Sequence, residues 1–352
     1  MNRPTLAVRS LLLAALIPAT VAAGYQHGAT RQLASRAVVV SATKSAAQIG
    51  DQSKPFVLGA VTTSLKAFDK AVRHRATVRI MFLRWGTPML PEGTLTKTAA
   101  LGAQTVIEIQ PVHLSMVQIA AGAGDSWLRD VFAPGVEAFG HPVTVSFGPE
   151  MNGQWYPWGI ARNKPADFIA AWRHIHDLLS GTNAGQFLSW FWQPSAIHFS
   201  TASPKPWWPG SQYVDEVGLD GYYVLPNDTF DVIFAQTIKL VRSLTTRPIM
   251  VGETAVGATT GRQVADIKNL FAGIRKYHLK GLIWFNIAQG GGKYHQNWRL
   301  QDHPTALRAF IASLNAAERP AHQHWWPLGS TPSGPLRTAA AIRPGHPTAY
   351  LD

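Results

Sequence analysis

A parallel (β/α)8 barrel is the architecture that the sequence predicts, on three observations. Eight short apolar runs of strand length lie between Phe56 and Phe285, and amphipathic stretches of helical length separate them. Acids, amides and large aromatic residues gather just after the runs, and the C-terminal ends of barrel strands are where a (β/α)8 protein carries its site.

In chain order the runs are Phe56–Val61, Val78–Leu83, Thr105–Gln110, Val143–Gly148, Phe187–Trp192, Val214–Leu219, Pro248–Val251 and Gly281–Phe285. Helical candidates between them include Lys164–Ser180, Phe230–Leu244 and Gly261–Tyr277. In the first of these, Phe168, Trp172, Ile175, Leu178 and Leu179 recur at the spacing of one buried stripe. Pro165 suits the first helical turn, where its missing N–H costs nothing, and Gly181 follows as a stop signal. A doubly wound open sheet is the competing architecture, but no Gly-x-Gly-x-x-Gly turn follows an early run.

The flanking segments differ in composition. Arg3 and Arg9 precede the apolar run Leu11–Ala23, which is short for a membrane span and ends in small residues, so residues 1–23 read as a secretory signal, with an uncleaved anchor as the alternative. Residues 24–52 read as a linker, 53–315 as the barrel domain and 316–352 as a flexible tail rich in Pro, Ala, Arg and His. A secreted monomer is the expectation, touching a membrane only if that first segment is retained.

The chain has 352 residues and no cysteine, so disulfides, a thiol nucleophile and Cys-based metal sites are excluded. Its formal charge is +12 with only 20 acidic residues, which favours anionic surfaces through long-range attraction. The basic residues are dispersed rather than run together, so a dedicated nucleic-acid patch is not expected.

The richest stretch is Val143-Thr-Val-Ser-Phe-Gly-Pro-Glu150-Met-Asn-Gly-Gln-Trp155-Tyr-Pro-Trp158, a strand ending in a carboxylate followed by three aromatic rings. Such a carboxyl group can protonate a glycosidic oxygen while flat rings stack on sugars; alone, the stretch could equally cap a core. A second acid, Glu253, closes the apolar strand Arg247-Pro-Ile-Met-Val-Gly-Glu253. Two carboxylates on one rim are what glycoside hydrolysis requires. Glu108, Asp215 and Glu216 read as structural or orienting groups, and Asp220, before Gly221, as a turn residue.

Four segments resemble glycoside hydrolase family 26 in order and spacing: Glu150–Gly159, Tyr213–Tyr222, Arg247–Glu253, and Gly281–Asn286 with Asn297-Trp-Arg-Leu300 downstream. That family comprises retaining (β/α)8 enzymes acting on β-mannan, mixed-linkage β-glucan and β-1,3-xylan. The resemblance implies Glu150 as acid/base and Glu253 as nucleophile. It further implies Trp155 and Trp284 as sugar platforms, Tyr222 as a hydrogen-bond partner near the nucleophile, and Asn152 as a substrate contact. Tyr156 and Trp158 would extend the cleft or serve as packing. A polysaccharide is the implied partner, with no metal or organic cofactor required.

The sequence departs from the family pattern. Ser146 and Pro149 stand where an Arg and a His are usual, and Thr254 follows Glu253 in place of a glycine. A carbohydrate-binding barrel with weakened or lost catalysis is therefore the alternative.

Overall fold

A computed structural model describes residues 55–198, 202–290 and 294–318. The expected signal segment, the linker and all of the expected tail beyond residue 318 lie outside the described residues.

Eight parallel strands close into a barrel in sequence order: β1 Val57–Val61, β2 Val78–Arg84, β3 Gln104–Gln110, β4 Val143–Phe147, β5 Leu188–Trp192, β6 Glu216–Asp220, β7 Ile249–Thr254 and β8 Gly281–Phe285. The ring is completed by β8 pairing with β1. Around it lie helices α1 Leu65–Val72, α2 Glu92–Ala100, α3 Met116–Ala120, α4 Asp125–Trp127, α5 Ala133–Phe139, α6 Pro165–Ser180, α7 Gln236–Leu244, α8 Gln263–Lys276 and α9 Pro304–Glu318. Among the described residues the β5–β6 connection has only the short 3-10 turns Lys205–Trp207 and Ser211–Tyr213, so the fifth unit lacks a regular helix. The last helix runs three residues past Asn315, where the sequence pattern was expected to stop.

The elements follow from local chemistry. In α6 the buried stripe is Phe168, Ala171, Trp172, Ile175, Leu178 and Leu179, with Pro165 in the first turn as expected. Ser64 caps α1 by accepting from the Ala67 N–H, and Ser115 with Gln118 closes a reciprocal capping box on α3. Strand side chains alternate between the barrel interior and the helix layer. On β2, Ile80, Phe82 and Arg84 face inward, in register with Val106, Glu108 and Gln110 of β3, whereas Arg79 faces outward and donates to Thr98 of α2. Among the described residues no helix is long and apolar enough to cross a membrane.

Candidate active site

The acid at the end of β4 is placed by an unusual piece of backbone. After Phe147, Gly148 and Glu150 both take left-handed conformations, with φ of 54° each. Glycine adopts this without penalty; a non-glycine residue there is held by its surroundings and is a recurrent feature of functional sites. Several bonds hold Glu150. Its N–H donates to the Gln193 carbonyl at the end of β5 (2.7 Å), and its carbonyl accepts from Gly153 N–H (2.8 Å). The Trp158 indole donates to the Pro149 carbonyl at 2.7 Å.

The turn that follows docks on β5. Asn152 is fully buried, and its side chain makes a two-point clamp: Nδ2 donates to the Ser195 carbonyl and Oδ1 accepts from the Ser195 N–H, both at 2.9 Å. Asn152 is therefore a clamp and not the substrate contact expected from the sequence. Trp158, 1% exposed, lies under the turn and stacks on Tyr156 with ring centroids 4.4 Å apart, which settles its role as packing. Trp155 is 47% exposed, and its indole N–H donates to Glu150 Oε2 at 2.7 Å. Of the expected platforms, this one stands at the cleft.

The other expected platform does not. Trp284 is 1% exposed, packs edge-on against Phe310 of α9 and donates to the Trp298 carbonyl at 3.0 Å. Alternation along β8 turns Trp284 to the helix layer and leaves its neighbour Phe285 against the Tyr222 ring, 6.0 Å away. Burial among side chains, where no sugar can stack, makes Trp284 a core residue.

Glu253 sits on β7 beside a register shift that pairs it with Asp220 of β6. Gly252 is required there, because a Cβ would come within 2.7 Å of Asp220 Oδ1. The Tyr222 hydroxyl donates to Glu253 Oε2 at 2.8 Å, as the resemblance implied. Glu253 Oε1 is buried and accepts no hydrogen bond among the described residues. Tyr223, one residue on, points the other way and donates to Asn269.

Two acids read as structural, orienting or turn-setting prove to be part of the site. Glu108 of β3 and Asp220 of β6 are 2% and 1% exposed and converge on a single amide. Gln193 Nε2 donates to Glu108 Oε1 at 2.9 Å and to Asp220 Oδ2 at 3.0 Å, while Gln193 Oε1 accepts from the Ser146 hydroxyl at 2.9 Å. Ser146, in the position where an Arg is usual, thus orients the amide that joins the acids. Asp215 and Glu216 do remain structural: Asp215 accepts from the Trp190 N–H, and Glu216 pairs with Lys280 at 2.8 Å.

Four carboxyl groups share this space, and each charged group that acts on them is another carboxylate. Burial is the largest influence on all four and favours the neutral forms. Glu150 is pushed up to about 7, partly countered by the Trp155 N–H. Glu253 is pushed up to about 8 by burial and by the charge of Glu150, partly countered by the Tyr222 hydroxyl. Glu108 and Asp220 rise well above the usual carboxylate range, through burial and then the charge of Glu253. Tyr156, half-buried at the same mouth, has its hydroxyl held protonated by burial and by the same four acids. Among the described residues no group of His, Asp and Glu is arranged to hold a metal ion.

Fold and site together define a (β/α)8 barrel with an acid pair, an inner acid store and an exposed indole at the C-terminal mouth. Comparison with known proteins agrees. Residues 135–301 match the model of glycosyl hydrolase family 26. Endoglucanase H of Acetivibrio thermocellus is 24% identical over 300 residues, covering 80% of this chain and 32% of that protein. Mannan endo-1,4-beta-mannosidase A and B of Caldalkalibacillus mannanilyticus is 31% identical over 119 residues, 31% of this chain and 23% of that protein. The matched part thus spans about a third or less of these relatives. Among solved structures, a beta-mannanase of the family from Bacteroides ovatus superposes with a TM-score of 0.55 at 17% identity, over 76% of this chain and 90% of that one, which shows the shared fold. Residues 135–301, a little under half of the chain, are thus similar to glycosyl hydrolase family 26.

Proposed function

We propose that the protein is a retaining endo-glycoside hydrolase that cleaves a β-linked polysaccharide, β-mannan or mixed-linkage β-glucan, by double displacement. The observation that carries this reading is that Glu150 and Glu253 lie near enough for the charge of Glu150 to raise the proton affinity of Glu253, with the Trp155 N–H on one Oε2 and the Tyr222 hydroxyl on the other. Relatives named as an endoglucanase and as mannan endo-1,4-beta-mannosidases support the substrate class.

In the first step the Glu253 carboxylate attacks the anomeric carbon. Burial and mutual charge raise the proton affinity of both acids, so the pair shares a proton near neutral pH; in the reactive form that proton is on Glu150, which gives it to the departing glycosidic oxygen. The C–O bond breaks and a glycosyl ester on Glu253 forms. In the second step Glu150, now anionic, takes a proton from water, whose oxygen displaces Glu253 from the anomeric carbon. The Tyr222 hydroxyl stabilises the Glu253 carboxylate each time it is released.

Charge pairing tunes the cycle. As Glu253 becomes an ester its negative charge disappears, so the Glu150 proton is held less tightly and can leave with the glycosidic oxygen. Both acids come from one barrel, so a single copy of the chain suffices, and the Arg-flanked apolar run Leu11–Ala23 supports a secreted enzyme.

Release of reducing ends from β-mannan, mixed-linkage β-glucan, β-1,3-xylan and cellulose tests the reading. Cleavage of mannan or mixed-linkage glucan, with retention of the anomeric configuration by NMR, is expected. Binding of a glycan with no release at any pH from about 4 to 9, the span over which tuned carboxyl pairs work, would leave a carbohydrate-binding barrel in its place.

A further inference from the structure

Beside the acid cluster, the mouth of the barrel opens at β2 and β3 into a cavity of about 490 Å³. That volume lies in the usual range of small-ligand sites, roughly 300–1,000 Å³. Its lining includes Phe82, Arg84, Thr87, Met89, Leu90 and Gln110.

Phe82 is the first anomaly. It faces inward on β2, level with Glu108, yet it is 41% exposed while Glu108 is 2% exposed. The paired part of β1 ends at Val61 opposite Ile80, two residues short of Phe82. An aromatic ring kept open to water at an inward strand position gains when a flat apolar surface covers it, and the CH face of a sugar is such a surface.

Arg84 and Gln110 are the second. They pair in register one step nearer the rim, and among the described residues neither side chain has a hydrogen-bond or ionic partner. Arg84 is the only charged residue in the lining. The wall opposite is fixed before anything binds. Trp127 donates to the Thr87 carbonyl at 2.7 Å and packs at a tilt on Trp85 with ring centroids 5.1 Å apart, and Met89 sits so close over Gly135 that a Cβ there would come within 2.5 Å of it.

We propose that this cavity is a carbohydrate subsite in which Phe82 stacks on one sugar ring and Arg84 takes the carboxylate of a uronate unit, with Gln110 bonding ring hydroxyls. The inference rests on the hydrolase reading and narrows its substrate to a β-linked polysaccharide that carries carboxylate groups. A planar guanidinium matches a carboxylate with two parallel hydrogen bonds, which a neutral sugar cannot return. Among the described residues the reacting centre has only carboxyl groups and no cation to hold an anionic ring, so a charged unit is accepted at Arg84 and a neutral one between Glu150 and Glu253. The formal charge of +12 draws a polyanionic chain towards the molecule.

Two probes of equal length test this: β-1,4-mannan, and the same mannan sparsely oxidised at C6 to mannuronate. Dissociation constants and hydrolysis are measured for wild type, Arg84→Gln and Phe82→Ala, with thermal melts confirming the fold of each. Wild type is expected to bind the oxidised chain roughly tenfold tighter, a typical gain from one charge-assisted pair. Arg84→Gln should abolish that preference, Phe82→Ala should weaken both probes, and salt should weaken only the oxidised one. Equal affinity of wild type for both probes, or a preference that survives Arg84→Gln, would overturn the subsite. Cleavage of plain mannan without any Arg84-dependent preference sinks the subsite alone. An Arg84-dependent preference without cleavage of either probe or of mixed-linkage β-glucan sinks the hydrolase reading alone.

Discussion

The outer acids, Glu150 and Glu253, and the inner acids, Glu108 and Asp220, are the same functional group in two settings. The outer acids are half-buried, each accepts one hydrogen bond from a neutral aromatic donor, and Glu253 keeps one oxygen unengaged. The inner acids are almost wholly buried and share a single amide from Gln193. Two adjacent buried carboxylates with no cation beside them cannot both ionise near neutral pH. The inner pair therefore retains at least one proton near neutral pH and adds less negative charge beside the outer pair than two ionised groups would. On the proposed mechanism, partial exposure separates the acids that react from the acids that are closed in behind them.

That contrast sets an order of effects. Glu253→Gln should lower kcat by roughly 10⁴-fold or more while glycan binding persists, because the amide keeps the shape but cannot form the ester. A loss of under tenfold in steady-state turnover would move the nucleophile elsewhere. Glu150→Ala should cost about 10²–10⁴-fold on polysaccharide and far less on aryl glycosides with good leaving groups, which need no proton. Equal losses on both substrates would remove its role as acid.

Smaller effects probe the tuning. In Trp155→Phe the ring stays but the N–H that favours the Glu150 anion goes, so the proton affinity of Glu150 rises further. The alkaline limb of the kcat/KM profile, which follows ionisation of the acid, should shift upward by up to about one pH unit. A downward shift would contradict the bond's role. Glu108→Gln should do least: if the inner acid is already neutral, an amide replaces like with like. Its kcat/KM should stay within about threefold and its acidic limb should move by less than about half a unit. A fall of that limb by a full unit would show that Glu108 is ionised beside Glu253.

The barrel was legible because strand-length apolar runs and their spacing are set by burial, which leaves a direct mark in sequence. All eight strands lie at their expected runs, within two or three residues at either end. Direction of side chains was harder. Trp284 and Tyr223 both lie at a strand end, and only their alternation with Phe285 and Tyr222 shows that they face the helices. Glu108 looked structural because Ile107 and Ile109 flank it. Yet an acid between two outward-facing apolar residues must point into the barrel, and that parity was the available signal. Asp220 and Gln193 could not be joined from sequence, since the register shift between β6 and β7 that brings Asp220 to Glu253 depends on packing at Gly252. Asn152 and Trp158 fell within the richest motif and serve its shape instead of its chemistry.

Trapping the covalent intermediate tests the central assignment most directly. Wild-type protein incubated with a 2-deoxy-2-fluoro-mannosyl or -glucosyl substrate bearing a good leaving group, then digested and sequenced by mass spectrometry, should carry the sugar on Glu253, with no adduct on Glu150, Glu108 or Asp220. A protein that hydrolyses polysaccharide yet accumulates its adduct on another acid, or inverts the anomeric centre and accumulates none, would contradict the double displacement built on Glu253.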